Sequence, residues 1–268
     1  MNVELLMSCM GQVDDAIVHR SHITGNVVVI NQCDKVAYAK YQTLSGYAEL
    51  FSVNDRGLCR SRNLAISKAQ ADICQLCDDD EVFVPNYESK ILDAYRSLPN
   101  ADVIIFKIAN RPSSFSDKVR RLYFPFTAKV SSVQISFRRK KILSAGVRFD
   151  ELLGAGSGNG AEEELKFLID CQRAGLKIYY VPVEIASVQQ VHSTWFRGFD
   201  SSFFEKRGAT TRYILGPIVS RFYALYYIIA KRKMYCKDIS SMKAWLSILR
   251  GIRSNPIGKK HHINFFAK

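Results

Sequence analysis

The stretch Ile73-Cys74-Gln75-Leu76-Cys77-Asp78-Asp79-Asp80 runs a largely apolar segment straight into three consecutive carboxylates. An apolar run of that length, closed by charge, is a buried strand. Carboxylates at the exit of a buried strand are costly to desolvate unless a cation neutralises them. In an α/β sheet, ligands gather at the carboxyl ends of strands, so the cation there would be a ligand or a metal. Two carboxylates spaced as D-x-D, here Asp78 and Asp80, can hold a divalent ion from one side and leave its other face open. Mn²⁺ or Mg²⁺ takes such hard oxygen donors and completes its shell with phosphates and water. The competing reading of a bare D-x-D is an acidic turn that caps the next helix.

Outward from this segment, short branched runs alternate with amphipathic ones. Leu5 to Cys9, Val27 to Ile30, Glu49 to Val53, Val103 to Ile108 and Val133 to Phe137 read as further strands. Arg60 to Ala71 and Tyr87 to Leu98 read as helices, the second starting after Pro85-Asn86. Such alternation predicts βα units and a mostly parallel, Rossmann-like central sheet with flanking helices, an α/β fold. Arg138-Arg139-Lys140-Lys141 reads as a solvated helix face.

The chain has 268 residues, 47% hydrophobic, enough for one sizeable core. Its start lacks the basic, apolar and small-residue order of a signal peptide. Seven cysteines at irregular spacing suit reduced thiols in a cytoplasmic compartment. The net charge of +13 is concentrated late: residues 201–268 hold 14 Lys and Arg against 2 Asp and Glu, while the rest hold 24 against 23. A basic end on a neutral body suggests one attachment surface, not a nucleic-acid channel. Basic clusters alternate there with Tyr226-Tyr227-Ile228-Ile229-Ala230 and with Trp245-Leu246, the makeup of interfacial helices that meet anionic membrane. The longest apolar stretch, Tyr213 to Ala230, is broken by Gly216-Pro217 and Arg221, so it is expected to dock or lie in the interface rather than cross a bilayer. The other reading is a solvated helix pair. The expected division is a body over 1–210 and a basic, amphipathic helical extension over 211–268.

Leu153 to Gly160 is a glycine-rich loop, and a helix begins at Ala161-Glu162-Glu163-Glu164 with Gly175 as its stop. Acids in a first turn complement the helix dipole. An ionised carboxylate placed there is also suited to act as a general base.

These pieces, in this order, resemble the family 2 glycosyltransferases of bacterial capsule, O-antigen and exopolysaccharide assembly, from about Val3 to about Gly208. The strongest part is Asp55-Arg56-Gly57-Leu58-Cys59-Arg60-Ser61-Arg62-Asn63-Leu64-Ala65-Ile66, followed by the strand and its three aspartates. Gly154 to Glu164, Gly175-Leu176-Lys177-Ile178 and His192-Ser193-Thr194-Trp195 form the second block. The resemblance implies a GT-A fold and metal-dependent transfer, with inversion, of a hexose-type sugar. It implies a nucleotide donor, usually a UDP-sugar, and a lipid-linked glycan acceptor, which suits a cytoplasmic protein peripheral on the inner face of the cell membrane. On this pattern Asp78 faces ribose and metal, Asp79 belongs with the nucleotide site, Asp80 is a metal ligand, and His192 completes the metal or diphosphate site. Arg62 lies near the nucleotide, and Glu164 or its neighbour Glu163 is the catalytic base. The family's acidic pair after the second strand is replaced by Asn31-Gln32-Cys33-Asp34, which leaves Gln32 and Asp34 to face the nucleotide. A sugar-nucleotide pyrophosphorylase-like nucleotidyltransferase would need a glycine-rich loop after the first strand, where Gly11 stands alone. A non-catalytic membrane-surface protein would leave the acidic residues without a role.

Overall fold

Strands whose two faces are both covered need apolar residues at most positions, as in Leu5-Leu6-Met7 and Val27-Val28-Val29-Ile30. The computed structural model describes residues 1–111, 113, 115–159, 162–189 and 198–257. The chain divides into two compact units, one of Met1–Asp150 and Glu164–Val191, the other of Glu151–Glu163 and His192–Lys268. In chain order the first half gives β1 (Val3–Met10), α1 (Ala16–Arg20), β2 (Asn26–Gln32), β3 (Ala37–Gln42), β4 (Tyr47–Val53), α2 (Leu58–Lys68), β5 (Ile73–Asp78), β6 (Glu81–Phe83), α3 (Tyr87–Ser97) and β7 (Val103–Ile108). There follow β8 (Arg120–Arg121), β9 (Ile135–Arg138), α4 (Arg139–Ser144), α5 (Glu163–Arg173), β10 (Ile178–Val188), α6 (Ser201–Ala230), α7 (Arg232–Tyr235) and α8 (Ser241–Ser254).

The sheet order is β3-β4-β2-β1-β5-β9-β7-β10-β6, with β8 on β10. Neighbours β4, β2, β1 and β5 are parallel, as are β7 and β10. Strand β9 lies antiparallel between β5 and β7, so β5 and β7 point the same way. The expected mostly parallel sheet is therefore parallel from β4 to β5, with β3 antiparallel at its edge, and mixed in the other half. The physical reason is the connection. After β7 the chain drops to the amino end of β10, where β8 pairs with Tyr179 and Tyr180, and it returns to the Asp78 edge at Ser132 before β9 descends between β5 and β7. The strand expected from Val133 begins two residues late, because Ser132–Gln134 is a 3₁₀ turn closed by a reciprocal Ser131 and Gln134 cap.

Alternate residues of each strand feed two cores. Leu5, Met7, Val27 and Val29 pack with Ile91 and Tyr95 of α3. Leu6, Val28 and Ile30 pack on the other side with Ala65 and Ile66 of α2 and Phe167 and Leu168 of α5. The basic run after β9 is only half a solvated face. Lys140 and Lys141 are exposed. Arg138 Nε instead donates to the Ala101 carbonyl at 2.8 Å and Arg139 Nε to the Ile66 carbonyl at 3.1 Å.

In the second unit, α6 is not straight. Gly216 leaves helical geometry at φ 78°, ψ −178°, a conformation that glycine adopts without a side-chain clash. Pro217 then starts a second half, where its missing N–H costs nothing. The rings of Phe204 and Tyr227 lie 6.2 Å apart, whereas a straight helix would separate those positions by about 35 Å. The two halves therefore form a hairpin. α8 closes on it, with Ala244, Ile248 and Ile252 sharing a core with Phe204, Ala224 and Tyr235. The position between 210 and 211 lies inside α6, and α8 shares a core with that helix.

The backbones of α6 and α8 touch at two glycines. A methyl group at Gly251 would lie 1.9 Å from the Glu205 carbonyl oxygen, and one at Gly208 2.1 Å from that of Ile248. Gly251→Ala should therefore force the helices apart and cost ~2 to 3 kcal/mol. A denaturation midpoint for that unit equal to wild type would contradict the contact.

Candidate functional site

Strand β5 delivers the acidic triplet to the carboxyl edge of the sheet. Asp78 is its last residue, in register with Ser8 of β1, and Asp79 and Asp80 turn into β6. Burial, reinforced by the Asp78 charge, raises the Asp79 carboxyl above its ordinary range. Asp80 is raised in the same way, by burial and then by the charges of Asp78 and Asp79. Carboxylates that hold one another up are relieved by an added cation. The positive charges of Arg20 and Arg111 act the other way, favouring the ionised forms of Asp79 and Asp80 respectively.

Beneath the triplet, Glu81 is buried and accepts a hydrogen bond from the Asp78 N–H at 3.3 Å. Burial, then the Asp78 charge, holds its carboxyl well above the usual range.

Asp78 itself is already engaged. Ser132 Oγ donates to one carboxylate oxygen at 2.9 Å and Arg62 Nη2 to the other at 3.1 Å. Arg62 is only 2% exposed. Its Nη1 donates to Glu164 Oε1 at 3.4 Å, and its guanidinium lies 5.4 Å from the centre of the Phe149 ring. One cation thus joins the end of β5 to the first turn of α5. The next residue fixes the helix that carries it: the Asn63 amide donates to the Phe149 carbonyl and accepts from the Phe149 N–H, both at 2.9 Å. Arg62 and Asn63 divide charge work and backbone work between them.

Of the sequence candidates, Asp78, Arg62 and Glu164 come together, with Asp79 and Asp80 on the adjoining turn. Glu163 is buried, while Glu164 keeps 18% of its side chain exposed. Gln32 ends β2, and its side-chain oxygen accepts the Gly57 N–H at 2.7 Å, shaping the start of α2. Asn31 is spent on the Gln12 backbone and on Ser52. Asp34 pairs with Arg56 at 2.7 Å at the surface. His192 and Trp195 lie outside the described residues. Arg207 pairs with Glu162 and lies 4.3 Å over the Tyr227 ring.

Sequence reasoning missed Arg20, Arg111 and Ser132. Arg20 ends a five-residue helix and the other two lie on the long segment between β7 and β9, where no periodicity marks them.

The donor set fits an open hard-cation site and not a closed cage. Among the described residues, no group of three or more His, Cys, Asp or Glu side chains is placed to hold a metal by itself. Asp78 and Asp80, two carboxylates spaced as D-x-D, would leave most of the shell of Mg²⁺ or Mn²⁺ to phosphates and water.

Residues 28–150, from β2 through the triplet to the end of the first unit's leading part, match the model of glycosyl transferase family 2. The chain is similar in structure to S. aureus TarS 1-349 in complex with UDP-GlcNAc, with TM-score 0.62 and 14% identity over 93% of this chain and 80% of that one. TarS 1-349 in complex with UDP gives TM-score 0.59 at 14% identity over 94% and 81%. Another TarS 1-349 structure gives 0.59 at 12% identity over 94% and 81%. No curated protein matches the chain in sequence. The structural likeness carries the GT-A fold, and the match over residues 28–150 marks that segment as similar to glycosyl transferase family 2.

Proposed function

We propose that this chain moves a hexose-type sugar from a nucleotide donor, UDP-linked, to a hydroxyl of a glycan acceptor carried on a lipid, with inversion at the anomeric carbon. The observation that carries the reading is the Arg62 bridge between Asp78 and Glu164. It sets the carboxylate edge suited to a donor diphosphate beside a carboxylate suited to deprotonate an acceptor. The TarS structures with UDP and UDP-GlcNAc support the donor class. Capsule or O-antigen assembly as the setting rests on the motif resemblance.

In this reading Glu164 takes the proton of the acceptor hydroxyl as its oxygen bonds to the anomeric carbon. The bond from that carbon to the diphosphate breaks on the opposite face, which inverts the centre. Arg62 keeps the Glu164 carboxylate oriented, and Arg111 and Arg20 add positive charge beside the aspartates. A divalent ion held by Asp80 and Asp78 would supply Lewis-acid stabilisation of the departing diphosphate. His192 belongs to the same proposed site.

The test is donor binding and turnover. Wild type with Mn²⁺ and a panel of UDP-sugars should show ligand-dependent thermal stabilisation and slow release of UDP. Asp80→Ala should lose the Mn²⁺-dependent part of both while unfolding at the wild-type temperature without ligand. Equal donor stabilisation of Asp80→Ala and wild type with Mn²⁺ would remove Asp80 from the site.

A further inference from the structure

We infer that the second unit docks on an anionic lipid bilayer through the second half of α6. Ile218, Phe222, Leu225 and Ile229 recur at i, i+4, i+7 and i+11, one face of a helix. They are 66%, 70%, 47% and 67% exposed. Val219 and Tyr226 widen this stripe, and both are exposed. The opposite face, Ser220, Ala224, Tyr227 and Ile228, is the buried one. A helix on a water-facing surface carries polar residues outward, and this one carries its bulkiest apolar residues there.

Charge selects the partner. Lys231, Arg232 and Lys233 follow the stripe directly, all exposed, and Arg221 lies within it. From Ser201 to the last described residue, 11 Lys and Arg stand against Glu205 and Asp238 alone. α8 repeats the pairing, with exposed Met242 and Leu246 beside Lys243, Arg250 and Arg253. An apolar stripe bounded by cations matches acyl chains beneath phosphate headgroups. The helix lies in the interface and does not cross it. Its second half, Pro217 to Ala230, is about 21 Å long against a hydrocarbon core of about 30 Å.

None of the residues of this surface belongs to the proposed donor site, so either can fail alone.

The test is flotation of the full chain with phosphatidylcholine vesicles, with and without phosphatidylglycerol. Wild type should float with the anionic vesicles, about tenfold less with neutral ones, and less as salt rises. Phe222→Asp with Ile229→Asp should lower flotation about tenfold or more. Lys231→Gln, Arg232→Gln and Lys233→Gln together should do the same. Both variants should keep the wild-type unfolding temperature, since none of these side chains is in a core. Absence of flotation by wild type, or wild-type flotation by both variants, would overturn the proposal. So would a wild-type dimer in solution that Phe222→Asp dissociates, which would assign the stripe to a second copy of the chain.

Discussion

Glu164→Gln should lower sugar transfer by about a hundredfold or more while donor affinity stays at the wild-type value. The amide keeps the size of the carboxylate, and its oxygen can still accept from Arg62. It cannot take up the acceptor proton. The loss should fall on kcat, with the acceptor KM nearly unchanged, because the removed interaction belongs to the transition state. Glu163→Gln is the matched comparison, one residue earlier and buried. Transfer kinetics with a saturating UDP-sugar separate the two. Full activity in Glu164→Gln with loss in Glu163→Gln would move the base to Glu163. Full activity in both would end the mechanism.

Arg62→Met should be the most destabilising single change in the first unit, by about 3 to 5 kcal/mol. Met fills the space beside Phe149 but leaves Asp78 and Glu164 facing each other without the guanidinium, where Arg62 had been almost wholly enclosed. Arg62→Lys should recover part of the loss, because one ammonium cannot present two parallel donors to two separated carboxylates. Chemical denaturation monitored in the far ultraviolet gives the stability, and titration with a UDP-sugar shows whether the Asp78 edge survives. Stability of Arg62→Met within about 0.5 kcal/mol of wild type would show that the bridge is dispensable.

The parts that the sequence made legible are those governed by local rules. Ile73 to Cys77 is apolar except for Gln75 because both faces of β5 are covered, and its charged exit is visible in one dimension. Arg62 and Asn63 were legible as a pair, although only packing shows that one serves carboxylates and the other the Phe149 backbone. The edge strand β3 was not, because Ala37 to Gln42 is largely solvent-facing and lacks a buried alternation. β6 is three residues long and exists through its pairing with β10. Ser132 reaches Asp78 only because β9 descends between β5 and β7, a non-local pairing that no pattern near it encodes. Gly216-Pro217 announced a break. That the break is a full reversal depends on Phe204 meeting Tyr227, 23 positions apart.

The placement of β9 also sets the order in which the protein can be finished during synthesis. Strands β1, β2, β4 and β5 can associate as soon as they leave the ribosome. One edge of β5, the strand that ends in Asp78, then stays open for 57 more residues, until β9 emerges at Ile135. β10 arrives later still, after the chain has passed through residues of the other unit. An open apolar edge is the usual starting point for association between nascent chains. Substitutions that weaken β9, such as a proline at Ser136, would therefore act first on yield, before any folded enzyme exists to assay.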